Sequence, residues 1–131
     1  TRAHLSAFAI AFLALIAASA ARAGDTASLK KSCDTLTAHP FDQDRPADVK
    51  GVFDIKKADA ETALKVCSVA ALSKASEDRR YQFQLGRAYE FLGRDKDAAT
   101  AYRQAADKGS EGHAALHWSY AGEGGPKYGG G

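Results

Sequence analysis

The chain lacks the short signatures of several common catalytic centres. It has no HExxH, no GxSxG and no Gly-Lys-Ser/Thr triplet, so nothing in it reads as a helical zinc peptidase, a nucleophile elbow or a phosphate-binding loop. The glycine-rich GEGGPKYGGG has neither the lysine-serine ending nor the preceding strand that a phosphate loop needs, and reads as a connector. Cysteine is scarce: Cys33 and Cys67 are the only two, and no CxxC spacing points to zinc. Asp42, Asp44 and Asp48 lie close together, but the glycine and closing glutamate of an EF-hand are missing, and turns beside prolines explain them. His113 and His117 stand four apart with Glu111 nearby, a spacing used by helical metal sites. With no further ligand in reach of them, neither a metal nor a cofactor is expected. Strand-like alternation of apolar and polar residues is also missing, which leaves the helical period to explain the apolar residues.

Excess charge of one sign is missing too, once the chain is divided. Leu5 to Ala20 holds no charged residue, Arg2 precedes it, and Ala21-Arg22-Ala23 offers small residues where a signal peptidase reads them. Its 16 uncharged residues fall short of the roughly 20 that span a bilayer, so residues 1–23 are expected to be a cleaved secretory signal that leaves no stable membrane span. No lipobox cysteine follows, so a free exported protein, periplasmic or secreted, is expected rather than a lipoprotein. Beyond residue 23 the chain carries 16 basic and 16 acidic side chains, so global charge gives no argument for binding nucleic acid. The start on Thr1 reads as an incomplete N-terminus.

Two cysteines in a small exported chain are most simply a disulfide, since the compartment is oxidising and no thiol is left over. The alternative, a catalytic thiol, is disfavoured because Cys67 occupies the bulky place of an apolar helical face, where burial suppresses the thiolate.

That face is the most informative thing present. Ala63-xxx-Cys67-xx-Ala70 recurs 35 residues later as Ala98-xxx-Tyr102-xx-Ala105, each a small, a bulky and a small residue along one narrow side of a helix. The remaining elements fall between helix breakers. A short amphipathic helix is expected over 28–38, with Leu29, Cys33 and Leu36 in register. Pro40, Pro46 and Gly51 then impose a long loop, whose Phe41, Val52, Phe53 and Ile55 are apolar enough to be expected against the first hairpin. Asp59 is the expected cap of a second helix reaching Leu72. Ser76 is the expected cap of a third, with Tyr81, Leu85, Tyr89 and Leu92 on one side and Gly93 at its end. Asp95 is expected to cap a fourth helix to Lys108, stopped by Gly109, and Ser110 a fifth. The expected organisation is a signal over 1–23, an N-terminal helix and Pro-containing loop over 24–57, and a helical repeat region over 58–131.

The segment QLGRAYEFLGRDKDAATAYRQAADKGSEGHAAL resembles tetratricopeptide repeats and, more closely, their Sel-one-like relatives. Leu85-Gly86-xx-Tyr89 resembles the first-helix signature, in which the glycine admits the second helix of the hairpin, and Ala98, Tyr102 and Ala105 resemble the second-helix signature. Ala105-Ala106-Asp107-Lys108-Gly109 and the later GEGGP resemble the family's AAxxG and GxGxP connectors. The stretch from CDTLTAHPFD to ALKVCSVAA also resembles the cysteine-bearing first hairpin of exported bacterial members. Leu116-His117 departs from the expected Leu-Gly, and the chain stops at Tyr128-Gly-Gly-Gly where a partner helix should begin, which reads as truncation.

The resemblance implies an all-α solenoid of antiparallel hairpins with about five helices, acting as a scaffold and not as an enzyme. Its groove would be lined by Arg80, Phe83, Arg87, Glu90 and Phe91, a mixture of aromatic and arginine that suits a protein or peptide partner. A solvated flank on which Phe83 and Phe91 pack against the preceding hairpin is the competing reading for the same residues. The functional expectation is a non-catalytic scaffold in the cell envelope. The alternative is the N-terminal module of a larger exported enzyme.

Overall fold

The computed structural model describes residues 24–75 and 78–109. Four helices account for most of them: α1 over 24–37, α2 over Lys57–Ala70, α3 over Arg79–Phe91 and α4 over Asp95–Asp107. No strand occurs among the described residues, so the all-α expectation holds there. The signal, the Ser76 cap, the fifth helix, the histidine pair and the glycine-rich connector lie outside the described residues. No helix among those described is long and apolar enough to cross a membrane.

The two small-bulky-small faces both point inward. Ala63, Cys67 and Ala70 are fully buried and join Cys33, Ala71, Tyr81 and Ala88 in one core cluster, with Leu36, Val66 and Leu85 around its edge. Ala98, Tyr102 and Ala105 form a second cluster with Phe83 and, at its margin, Tyr89. Helix α3 therefore serves both cores: Tyr81, Leu85 and Ala88 face α1 and α2, while Phe83 and Tyr89 face α4. Leu85 and Tyr89, expected on a single side, divide between the clusters.

Gly86 shows why α3 and α4 approach so closely. A Cβ built there would lie 2.6 Å from the Tyr102 ring, so only a residue without a side chain lets that ring lie across α3. Tyr102 is then held at its far end, where its hydroxyl donates to Glu90 at 2.6 Å. The connection between these helices has no slack. The Arg94 amide donates back to the Tyr89 carbonyl at 2.9 Å and the Gly93 amide to Glu90 at 2.9 Å, closing α3, while Arg94 also occupies the cap position of α4.

Boundaries shift at all four helix starts; α3 begins at Arg79 with Asp78 in the cap position expected of Ser76. Helix α1 begins at residue 24 instead of 28. Helix α2 begins at Lys57 behind an extended Lys56, which places Asp59 inside the first turn. Helix α4 begins at Asp95 with Arg94 as its cap, and Asp95 and Asp97 lie in its first turn. In both helices the aspartates face the positive end of the helix dipole without making the expected side-chain cap.

Candidate functional site

Residues 38–56 form a loop closed at its base, where the Val52 amide donates to the Ala38 carbonyl at 2.7 Å. Gly51 adopts φ +80°, and a Cβ there would lie 2.7 Å from the Pro40 nitrogen, so the chain can re-enter beside Pro40 only through glycine. Inside the loop the Asp42 carboxylate accepts from the Asp44 amide at 2.8 Å, and Arg45 donates to the Pro40 and Val49 carbonyls. These bonds give a segment without regular structure a fixed shape.

Helix α3 fastens that loop and α1 through its polar side chains. Arg80, Gln84 and Arg87 stand at i, i+4 and i+7 and so share one face of the helix. The Asp34 carboxylate, nearly buried on α1, accepts from Arg80 Nε at 2.8 Å and Gln84 Nε2 at 3.0 Å on one oxygen. Its other oxygen accepts from the second Arg80 nitrogen at 3.2 Å and the Tyr81 hydroxyl at 3.3 Å. With four donors converging on it, this carboxylate anchors α1 to α3. Arg87, 4% exposed, donates to the carbonyls of Thr37, Val52 and Phe53, so one guanidinium ties the end of α1 to the end of the loop. At the start of α3, Asp78 accepts from Lys30 at 2.6 Å and Arg79 pairs with Asp44 at 2.6 Å.

The electrostatics follow from this burial. Desolvation, followed by the Arg87 charge, pushes the His39 imidazole down to about 4, against a smaller opposing pull from Asp42. Desolvation and the neighbouring Asp34 push the Tyr81 phenol up to about 12. Burial works against the charge on Arg80, but the hydrogen bond and charge of Asp34 outweigh it and leave the guanidinium above its ordinary value.

Cys33 and Cys67 are joined in a disulfide, with both residues fully buried and Cα atoms 5.0 Å apart. The bridge ties α1 to α2. The Thr37 hydroxyl, which donates to the Cys33 carbonyl at 2.7 Å, lies 3.5 Å from Cys67 Sγ.

The expected groove residues are largely occupied within the fold. Phe83 is 2% exposed and its ring lies 5.5 Å from that of Tyr102, while Arg80 and Arg87 are engaged with residues 34–53. Glu90 and Phe91 remain partly exposed, with the Arg87 guanidinium 5.8 Å from the Phe91 ring. Open lining of a groove by Phe83 and Arg87 is therefore corrected: α4 covers the first, and the chain's own N-terminal part covers the second. The expected burial of Phe41 and Phe53 is corrected as well. Ile55 is buried, but Phe41 is 68% and Phe53 45% exposed, because Arg87 draws the backbone carbonyl of Phe53 inward and leaves its ring outside. The two rings meet edge to face at 5.5 Å, and each lies within 5.7 Å of His39 beneath them. Asp34, Gln84 and His39 were not singled out from sequence. The one available signal was the Arg80, Gln84, Arg87 spacing, which marks a face without saying what covers it.

The described residues define an all-α domain closed by one disulfide, with a central helix that grips a preformed loop. Compared with family models, curated proteins and solved structures, the chain gives no match.

Proposed function

We propose that the protein is a non-catalytic helical scaffold of the cell envelope that engages a protein or peptide partner through the exposed aromatic pair Phe41 and Phe53. The observation that carries this reading is the contrast between the two phenylalanines and the loop that bears them. A loop fixed by internal hydrogen bonds and by Arg87 holds two large apolar rings in solvent, next to one another, where they contribute little to the core. Aromatic side chains presented with little conformational freedom left to lose are favourable anchors for a partner. The reading is supported by the buried disulfide, which suits an oxidising compartment, and by the Gly86–Tyr102 interlock, which is the close approach that the repeat resemblance implies.

The test places a photo-reactive phenylalanine analogue at position 53 of the full chain, in cells that export it, and identifies what becomes crosslinked. The expected result is a discrete protein adduct that disappears when Phe41→Ser is added while the circular dichroism of the purified variant is unchanged. Diffuse labelling that is indifferent to Phe41→Ser would overturn the reading.

A further inference from the structure

We infer that residues 24–56 are a redox-keyed strap on α3, and that the Cys33–Cys67 bridge is its lock. The strap is α1 with the following loop, and its anchors on α3 are mainly polar: Lys30 to Asp78, Asp34 to Arg80 and Gln84, Asp44 to Arg79, and the carbonyls of Thr37, Val52 and Phe53 to Arg87. Each of these bonds adds little net stability over what water would supply once the segment lifts, although Asp34, Gln84 and Arg87 are themselves buried in the closed form. The bridge is the covalent cross-link that holds α1 down: it joins the strap to α2, in the cluster that Tyr81 and Ala88 of α3 also enter. The cluster between α3 and α4, by contrast, contains Phe83, Ala98, Tyr102 and Ala105 and no residue of the strap. Opening the bridge therefore releases the strap without removing a side chain from that second core.

The chemistry needs a dithiol reductant. One of its thiolates attacks a bridge sulfur and displaces the other cysteine as a thiolate, which takes up a proton. The second thiol of the reductant then attacks the mixed disulfide, frees the remaining cysteine and leaves as a cyclic disulfide, so two electrons and two protons pass to the bridge. Because both cysteines are fully buried, the polar anchors must loosen locally before a reductant thiolate can reach a sulfur, while full release of the strap waits for the bridge to open. In the released state the Arg80, Gln84, Arg87 face of α3 is uncovered. The Phe53 carbonyl loses its hold on Arg87, so the aromatic pair disperses. That last consequence rests on the partner reading above, whereas the opening itself does not.

Hydrogen exchange read by mass spectrometry on the full chain tests the opening with no partner present. Three samples are compared: oxidised protein, protein treated with dithiothreitol and shown by alkylation to carry two thiols, and the Cys33→Ser, Cys67→Ser double variant. In the latter two, exchange of the Asp42, Arg45 and Val52 amides, which donate to His39, Asp42 and Ala38 in the closed form, should rise by about tenfold or more, while amides of 98–105 stay within about twofold. Unchanged protection of the loop amides would overturn the proposal, since the bridge would then lock nothing. Equal loss of protection in α4 would overturn it too, since the bridge would then hold the whole domain and not a strap.

Discussion

The two sides of α3 are built from different physics. Towards α4 the interface is aromatic and alanine-rich, interlocked at Gly86, and the two helices are joined by a connection so short that Arg94 belongs to both. Towards α1 and the loop, the apolar core around the disulfide is edged by a row of charged and amide side chains that hold backbone carbonyls and carboxylates. Non-directional packing secures the first side, so its stability scales with apolar area. Directional bonds secure the second, so removing one partner leaves the other buried and unsatisfied, which costs more than the bond contributed.

The difference is open to direct attack. Arg87→Met should have the largest effect, since it strands the carbonyls of Thr37, Val52 and Phe53 together, and a loss of about 4 kcal/mol in denaturant titration is expected. A loss under about 1 kcal/mol would show that water replaces the guanidinium freely and that the polar side is no more brittle than the apolar one.

Acidification should act next, and on the same side. An unfolded imidazole titrates near 6.5, whereas the folded His39 stays neutral to about 4, so between those values the unfolded chain binds more protons. Stability is therefore full above about pH 6.5 and declines as the pH falls to about 4, by up to about 3 kcal/mol. Asp78 extends the loss at still lower pH. Burial alone would raise its carboxyl, but the hydrogen bonds from Lys30 and Ser73 leave it below the usual 3.8, so its contribution is present above that value and disappears below it. Melting temperatures of the wild type and His39→Phe across this range check the assignment: the variant should lose the slope between pH 4 and 6.5.

Gly86→Ala probes the other side. Its Cβ would meet the Tyr102 ring, whose hydroxyl is already committed to Glu90, so a loss of about 2 kcal/mol is expected despite the better helix propensity of alanine. Adding Tyr102→Leu should recover part of that loss, which thermal melts of the single and double variants will show. The smallest effect belongs to Arg94→Ala. Its pairing with Asp97 is half exposed on both sides, so a change of about 0.5 kcal/mol or less in the same melts is expected.

What could be read from the sequence follows the same division. The Ala98-xxx-Tyr102-xx-Ala105 face and the Gly93 stop were legible because each is a local pattern, helical periodicity or a turn residue at the end of one helix, whereas the role of Gly86 was implied only by the repeat resemblance. The pairing of the two cysteines was legible by elimination. Asp34 with Arg80 was not, since the partners stand 46 residues apart and neither position differs in kind from a solvated charge. Arg80, Gln84 and Arg87 could be recognised as one face, but helical spacing does not distinguish a face that waits for a partner from one already covered by the chain itself. Phe41 and Phe53 misled for a related reason. Hydrophobicity argues for burial, and at Phe53 a distant arginine holds the backbone carbonyl inward and so leaves the ring outside.

Arg79 occupies a place that neither half of this comparison claims. Its guanidinium holds Asp44 in the loop and, through another nitrogen, donates to the Gly109 carbonyl at 2.8 Å, just beyond the end of α4. A single side chain thus works as a three-way junction, fixing the spot from which the polypeptide departs after α4 relative to the loop. Displacing the loop at Asp44 would therefore pull, through the same guanidinium, on the Gly109 carbonyl at the end of α4. In mechanical terms the first turn of α3 is a coupling between the loop and the end of α4.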